Sequence, residues 1–170
     1  MARRARGMTV LSYLISLTAL CIALGYVDAV ATFYVRGMLR VSQEGGGFAQ
    51  AVTEAMPPRI IALEQTRQAS ILLVLVAVAV VAGRNLHQQF GTALFGIGGW
   101  IIFRYAAIRT ITDWPTSLTD VDTVLYLPEA VYAPLWMPIV IALGLSALGV
   151  TLVRAGALAL LPPRARDHAG

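Results

Sequence analysis

The sequence predicts an all-α integral membrane protein: a four-transmembrane-helix bundle with up-down-up-down topology and a short interfacial helix on its outer side. Of its 170 residues, 58% are hydrophobic and only 13% are charged. Soluble domains average about 45–50% apolar and about 25% charged residues. The apolar residues gather in long runs, and a membrane-spanning helix needs about 20 of them. One small core could not bury this excess, so residues 1–170 are expected to form a single transmembrane domain.

The four spans follow from these runs and from the residues that interrupt them. The first covers about 9–33; its charged start resembles a signal peptide, but its apolar run exceeds the roughly 7–15 residues of a signal core, which favours a retained helix. The second apolar run is too short by itself, so its helix is expected to start after the prolines and to cover about 60–83. The third and fourth spans cover about 90–111 and 134–153. Pro138 is tolerated because it lies in the first turns of its helix.

The arginines indicate the orientation of the bundle. All 13 basic residues are arginine, a composition typical of high-GC genomes, and we expect a bacterial inner membrane. The cluster Arg3, Arg4 and Arg6 and the short loop that begins at Arg84 fall on one side of a four-span protein. Basic residues in short loops favour the cytoplasmic side. The prediction is a multi-pass protein of the cell membrane with both termini in the cytoplasm.

The first outer segment, 34–59, contains three consecutive glycines followed by an amphipathic stretch. Phe48, Val52 and Met56 recur at four-residue spacing, which predicts a short helix lying on the outer surface. The second outer segment, 112–133, is rich in turn-forming, acidic and aromatic residues and is expected to be a loop.

Four aromatic residues in or beside the second outer segment suit a belt at the level of the lipid headgroups, where amphipathic rings are enriched. They also make this loop a candidate docking surface. They are Trp114, Tyr126, Tyr132 and Trp136.

Asp28 raises a question, because it lies inside the first apolar run. It falls on a small and polar stripe with Thr18, Cys21, Gly25 and Thr32, and such a stripe is expected to face protein rather than lipid. Arg104 lies at a similar depth in the third span. We therefore predict an intramembrane ion pair between Asp28 and Arg104, since an uncompensated buried charge costs several kcal/mol. The alternative is a polar site on a transport path.

Two further sets of residues are expected to stabilise the bundle. Glu64 and Arg67, three residues apart on a helix, are predicted to form a solvated interfacial pair. Small residues let helix backbones approach closely in a membrane. The candidates for such helix packing are Ala79, Gly83, Gly91, Gly96, Gly98 and Gly99.

Several function classes find no support in the sequence. No span contains a histidine for haem ligation, and no cluster of His, Cys and Glu suits zinc, so neither a cofactor nor a metal site is predicted. Cys21 stands alone and is expected to be a buried structural thiol. The scattered arginines form no basic stripe, so no nucleic-acid partner is expected.

Three functional hypotheses remain open. The first is a non-enzymatic accessory or scaffolding subunit whose partners are the lipid bilayer and other integral membrane proteins. The second is a small transporter or channel with a polar site at Asp28 and Arg104. The third is an interfacial lipid-modifying enzyme using Glu64, Asp113 or Asp120, for which no catalytic motif is found.

Overall fold

The computed structural model describes residues 9–39, 53–126 and 129–160, which are mostly helical. It contains four long helices: α1 (Val10–Leu39), α2 (Pro58–Ala82), α3 (Leu86–Thr112) and α4 (Trp136–Ala159). Each is long and apolar enough to cross a membrane. The prediction of four apolar helices is confirmed, and the chain is compatible with a multi-pass membrane protein.

Local sequence explains where the helices begin and end. Pro58 opens α2, where its missing N–H would have no helical partner in any case. Asn85 caps α3, its side chain accepting a hydrogen bond from the backbone N–H of Gln88 at 3.0 Å. Helix α1 continues to Leu39, past the expected end near 33, and Arg36 in this extension forms an ion pair with Asp122 at the end of the bundle.

A two-stranded antiparallel sheet departs from the all-α prediction. Strand β1 (Val121–Leu125) pairs with β2 (Val131–Pro134), with Asp122 opposite Ala133. Turn-forming residues surround this segment, which is why the sequence predicts a loop there. Its β-branched Val and Thr residues nevertheless favour extended backbone, and β2 delays the start of α4 to Trp136.

The bundle has two distinct ends. The hairpin end holds β1 and β2 with the C-terminal part of α1, the N-terminal part of α2 and the C-terminal part of α3. The turn end holds residues 83–85, which connect α2 to α3, together with the start of α1 and the end of α4.

Helix α3 is the centre of the bundle, because it packs against each of the other three helices. Its glycines permit this. A Cβ on Gly99 would lie 2.8 Å from Sγ of Cys21 in α1, and a Cβ on Gly96 would lie 3.1 Å from Leu75 in α2. Gly91 meets α4 at Gly149, and a Cβ on either would come within 2.8 Å of the other's carbonyl oxygen. Gly91, Gly96 and Gly99 of α3 thus make their close contacts with other helices of the bundle.

The apolar core of the hairpin end contains two rings that were expected on a surface belt. Trp114 and Tyr126 are 7% and 6% exposed, packed with Tyr105, Ile108 and other buried residues. This corrects the belt assignment for both. They are buried because the hairpin folds back over the helix ends and brings its aromatic residues with it.

The predicted interfacial helix lies largely outside the described residues, since Phe48 and Val52 are not among them. Of this pattern, Met56 is described. It is 7% exposed and belongs to the same apolar core, so it packs against protein rather than resting on a membrane surface.

Two glycines of α4 offer a matched test of the close packing between α3 and α4. Gly149→Ala places a methyl group against backbone atoms of Phe95 and Gly91, within 2.7 Å of each. We expect a loss of about 1–3 kcal/mol in the free energy of unfolding, the usual cost of overpacking. A methyl group on Gly144 would have nothing within 4 Å of it, so Gly144→Ala should be neutral or slightly stabilising. Equilibrium unfolding in detergent measures both, and equal effects would contradict the packing.

Candidate functional site

The Asp28 carboxylate is the centre of a buried polar site at the hairpin end. Asp28 is 1% exposed. Its Oδ2 lies 3.0 Å from Nε of Arg104 and accepts a hydrogen bond from the indole Nε1 of Trp100 at 3.2 Å. Its Oδ1 is in close contact with Nη1 of Arg67. One carboxylate thus holds side chains from α2 and α3 against α1.

Helical periodicity explains why α1 presents Asp28 to its neighbours. Cys21, Gly25, Asp28 and Thr32 follow each other at three- and four-residue steps, and all four are buried. Gly25 is the point of closest approach to α3. A Cβ there would lie 2.7 Å from the backbone nitrogen of Arg104, so the absence of a side chain lets Asp28 and Arg104 meet.

Arg67 is a bridge rather than half of a solvated surface pair. Its Nη2 contacts Glu64 Oε2, as the spacing along α2 predicts, but its Nη1 also donates to the backbone carbonyl of Asp28 at 3.1 Å. Glu64 is 5% exposed, so the expectation of a solvated interfacial pair is wrong. The turn of α2 that carries Glu64 and Arg67 faces α1 and α3. Arg67 therefore also contacts the carboxylate of Asp28 on α1.

A fourth ion pair, between Arg36 and Asp122, attaches the hairpin to α1. Arg36 Nη2 donates to Asp122 Oδ1 at 2.8 Å, and its guanidinium carbon lies 4.5 Å from the centre of the Trp114 ring. An arginine over an aromatic face gains a cation–π attraction in addition to the ion pair. The sequence indicated Asp122 only as one acid of a solvated loop and did not pair it with Arg36. Asp28, Thr32 and Arg36 share one helical face, and that was the available signal.

Two glutamines of α2 fix the end of β1. Gln68 Oε1 accepts a hydrogen bond from the backbone N–H of Tyr126 at 2.9 Å, and Gln65 Nε2 donates to the carbonyl of the same residue at 3.0 Å. Both backbone groups of Tyr126 are therefore paired with side chains of one helix turn. Gln68 is 1% exposed, so water does not replace this contact.

The site is electrically balanced and nearly filled. We use the term charge cluster for its three acids and three arginines: Asp28, Glu64, Asp122, Arg36, Arg67 and Arg104. Arg36, Glu64, Arg104 and Asp122 line a cavity of about 10 Å³, which is about the space for one water molecule.

Two residues of the hairpin region have shifted titration. Burial raises the pKa of the Tyr126 hydroxyl, so this group stays neutral beside the charge cluster. Asp120 accepts hydrogen bonds from the backbone N–H groups of Ser117 and Thr116 at 3.0 and 2.7 Å. These bonds, that of Ser117 first, lower the pKa of the Asp120 carboxyl and order the turn that leads into β1.

The remaining candidates are spread over the bundle. Ala79 is buried in α2, and Gly83 lies against Gln89 at the turn end. Gly98 faces Ala142 and Ser146 of α4. Tyr132 is half-buried, whereas Trp136 is 47% exposed. Among the described residues, no three of His, Cys, Asp or Glu are grouped so that they could hold a metal ion.

Comparison of the chain with family models, curated proteins and solved structures finds no match in any of the three.

A double-mutant cycle tests the ion pair between α1 and α3. Asp28→Asn keeps the side-chain volume but leaves Arg67 and Arg104 without their shared anion, which we expect to cost about 3–5 kcal/mol in the free energy of unfolding. Adding Arg104→Gln to Asp28→Asn should recover part of that loss, because it removes the cation that Asp28→Asn leaves unpaired. The other cation, Arg67, retains Glu64.

Unfolding titrations in a mixed detergent measure all four corners of this cycle. The matched control is Asp113→Asn, the same chemical change at an exposed position, where it should have little effect. Strictly additive effects of the Asp28 and Arg104 substitutions would contradict the pairing.

Proposed function

We propose that this chain is a non-enzymatic integral membrane protein, an accessory or scaffolding subunit of a larger membrane complex. The proposal includes an up-down-up-down path through a bacterial cell membrane with both termini in the cytoplasm. The hairpin end then faces outward and the turn end faces the cytoplasm. Four apolar helices are compatible with this location.

The observation that carries the proposal is the closure of the charge cluster. Its acids and arginines neutralise one another between three helices and the hairpin. The cavity beside them is about 10 Å³, whereas sites for small molecules measure roughly 300–1,000 Å³. A buried, balanced and filled cluster suits a role in holding the helices and the hairpin in one arrangement.

The hairpin end also offers a firm surface to a partner. Leu118, Val131 and Trp136 are 59%, 48% and 47% exposed. The backbone N–H of Trp136 donates to the carbonyl of Leu118 at 2.9 Å, so these two exposed residues keep fixed relative positions. Exposed aromatic and aliphatic groups on an ordered support are typical of protein interfaces. This supports the candidate docking role of Trp136.

Native mass spectrometry of the protein extracted from its own membranes in a mild detergent tests the proposal. We expect a stoichiometric integral partner. Leu118→Ser should reduce the share of the complex severalfold, because it removes apolar contact area at the hairpin end. Leu86→Ser is the matched control, since Leu86 is 67% exposed but begins α3 at the turn end. Recovery of the chain alone, or only as a homo-oligomer, would contradict the proposal.

A transport function is the second candidate, and one observation favours it. Two carboxylates, Asp28 and Glu64, lie buried on apolar helices, and intramembrane ionisable groups often mark ion or proton paths. This hypothesis expects Asp28→Asn to abolish flux in proteoliposomes while the free energy of unfolding stays near that of the wild type. The accessory-subunit proposal expects no wild-type flux above that of empty liposomes and a less stable variant. Flux assays and unfolding of the same preparations separate the two.

The lipid-modifying enzyme gains no support from the described residues. Its three acids have separate local roles: Glu64 is in the charge cluster, Asp113 ends α3, and Asp120 orders the turn before β1. The acids thus contribute to the architecture, which favours the accessory-subunit proposal.

A further inference from the structure

A large groove at the turn end is separate from the charge cluster. Its volume is about 600 Å³, and it lies between the start of α1 and the last turns of α4, with the start of α3 beside them. It exists because α1 and α4 both pack on α3 but hardly contact each other. We call this cavity the turn-end groove.

The walls of the turn-end groove suit an amphiphile. Val10, Leu158 and Leu160 contribute apolar surface, and Arg84 and Arg154 are the charged residues of the lining. Both arginines are exposed, and no ion pair of either is found within the described residues. No acid lines the groove, so the described lining carries an unbalanced positive charge.

Hydrogen bonds hold the backbone near Arg84 and Arg154. The backbone N–H of Arg84 donates to Gln88 Oε1 at 2.9 Å, and Asn85 Nδ2 donates to the carbonyl of Gly156 at 2.8 Å. The second bond ties the connection between α2 and α3 to α4 near Arg154. The groove therefore has two arginines on a hydrogen-bonded backbone beside its apolar residues, at the end of the apolar helices.

We propose that the turn-end groove binds one anionic phospholipid, with its phosphate at Arg84 and Arg154 and an acyl chain against Val10, Leu158 and Leu160. Guanidinium groups recognise phosphate through charge-assisted and often bidentate hydrogen bonds. Basic pockets between helices at one membrane face are suited to acidic headgroups. The volume falls within the roughly 300–1,000 Å³ of known ligand sites.

Charge complementarity favours this occupant over the chain's own ends. Residues 1–8 carry Arg3, Arg4 and Arg6, and residues 161–170 carry Arg164 and Arg166 against the single acid Asp167. The side chains of each segment carry a net positive charge, which Arg84 and Arg154 would repel. An anionic lipid is attracted by the same two groups. This inference does not depend on the accessory-subunit proposal.

The test is a native mass spectrometry titration of the full-length protein in detergent with two lipids of equal acyl chains, phosphatidylglycerol and phosphatidylcholine. We expect one phosphatidylglycerol to bind per chain, at least about tenfold more tightly than phosphatidylcholine. The double variant Arg84→Gln, Arg154→Gln should lose at least about tenfold in phosphatidylglycerol affinity. Arg84→Lys, Arg154→Lys should bind phosphatidylglycerol more tightly than the glutamine variant but less tightly than the wild type, because the charge remains and the bidentate geometry is lost.

The matched control is the double variant Arg59→Gln, Arg109→Gln, which removes the same charge from exposed positions at the hairpin end. It should bind phosphatidylglycerol as the wild type does. Three results would overturn the proposal: equal affinity for the two lipids, equal loss in both glutamine variants, or no lipid bound by the wild type. Unfolding temperatures of all variants identify any that are misfolded, and the lysine variant still tests the site in that case.

Discussion

Burial of the Asp28 carboxylate is the constraint on which the hairpin end depends. At 1% exposure it has no water to solvate it, so protein donors must replace that solvation. Arg67 comes from α2, and Arg104 and Trp100 come from α3. These helices must therefore reach α1 at one level. The contacts of the buried Asp28 carboxylate therefore fix the positions of α1, α2 and α3 relative to one another. Dispersion forces between apolar helix surfaces alone define those positions poorly.

Small residues and polar side chains stabilise different contacts of the bundle. The glycines of α3 let α1 and α4 approach its backbone, and Gly25 does the same from the side of α1. Helix α2 depends more on polar groups, because two of its four buried residues are Glu64 and Gln68. The hairpin is bound by the same means, through Asp122 to α1 and through the backbone of Tyr126 to α2. Polar contacts thus hold α2 and the hairpin, whereas close glycine contacts hold α1 and α4 against α3.

Sequence reasoning succeeded where one helix at a time carried the information. Hydropathy was enough to find the four helices, and depth from the span ends placed Asp28 beside Arg104, whose facing atoms lie 3.0 Å apart. It failed where rotation or long-range pairing decides. Five consecutive polar residues, Glu64 to Gln68, cover every side of α2, so they do not reveal which face turns inward, and the sequence pairs Arg67 only with Glu64. Arg36 and Asp122 are 86 residues apart, and nothing local joins them. The sequence did not predict β1 and β2, because the turn-forming residues around them are also typical of a loop.

The bridging position of Arg67 has a consequence for the synthesis of the chain. In the membrane location proposed above, a chain inserted from its N-terminus presents α1, with Asp28, before either arginine that neutralises it has been made. Arg67 follows 39 residues later, on the next helix, and it arrives already accompanied by Glu64. Arg104 comes only with the third helix. The charge of Asp28 is therefore met first by Arg67, when α2 follows α1, and then by Arg104, when α3 packs against both helices.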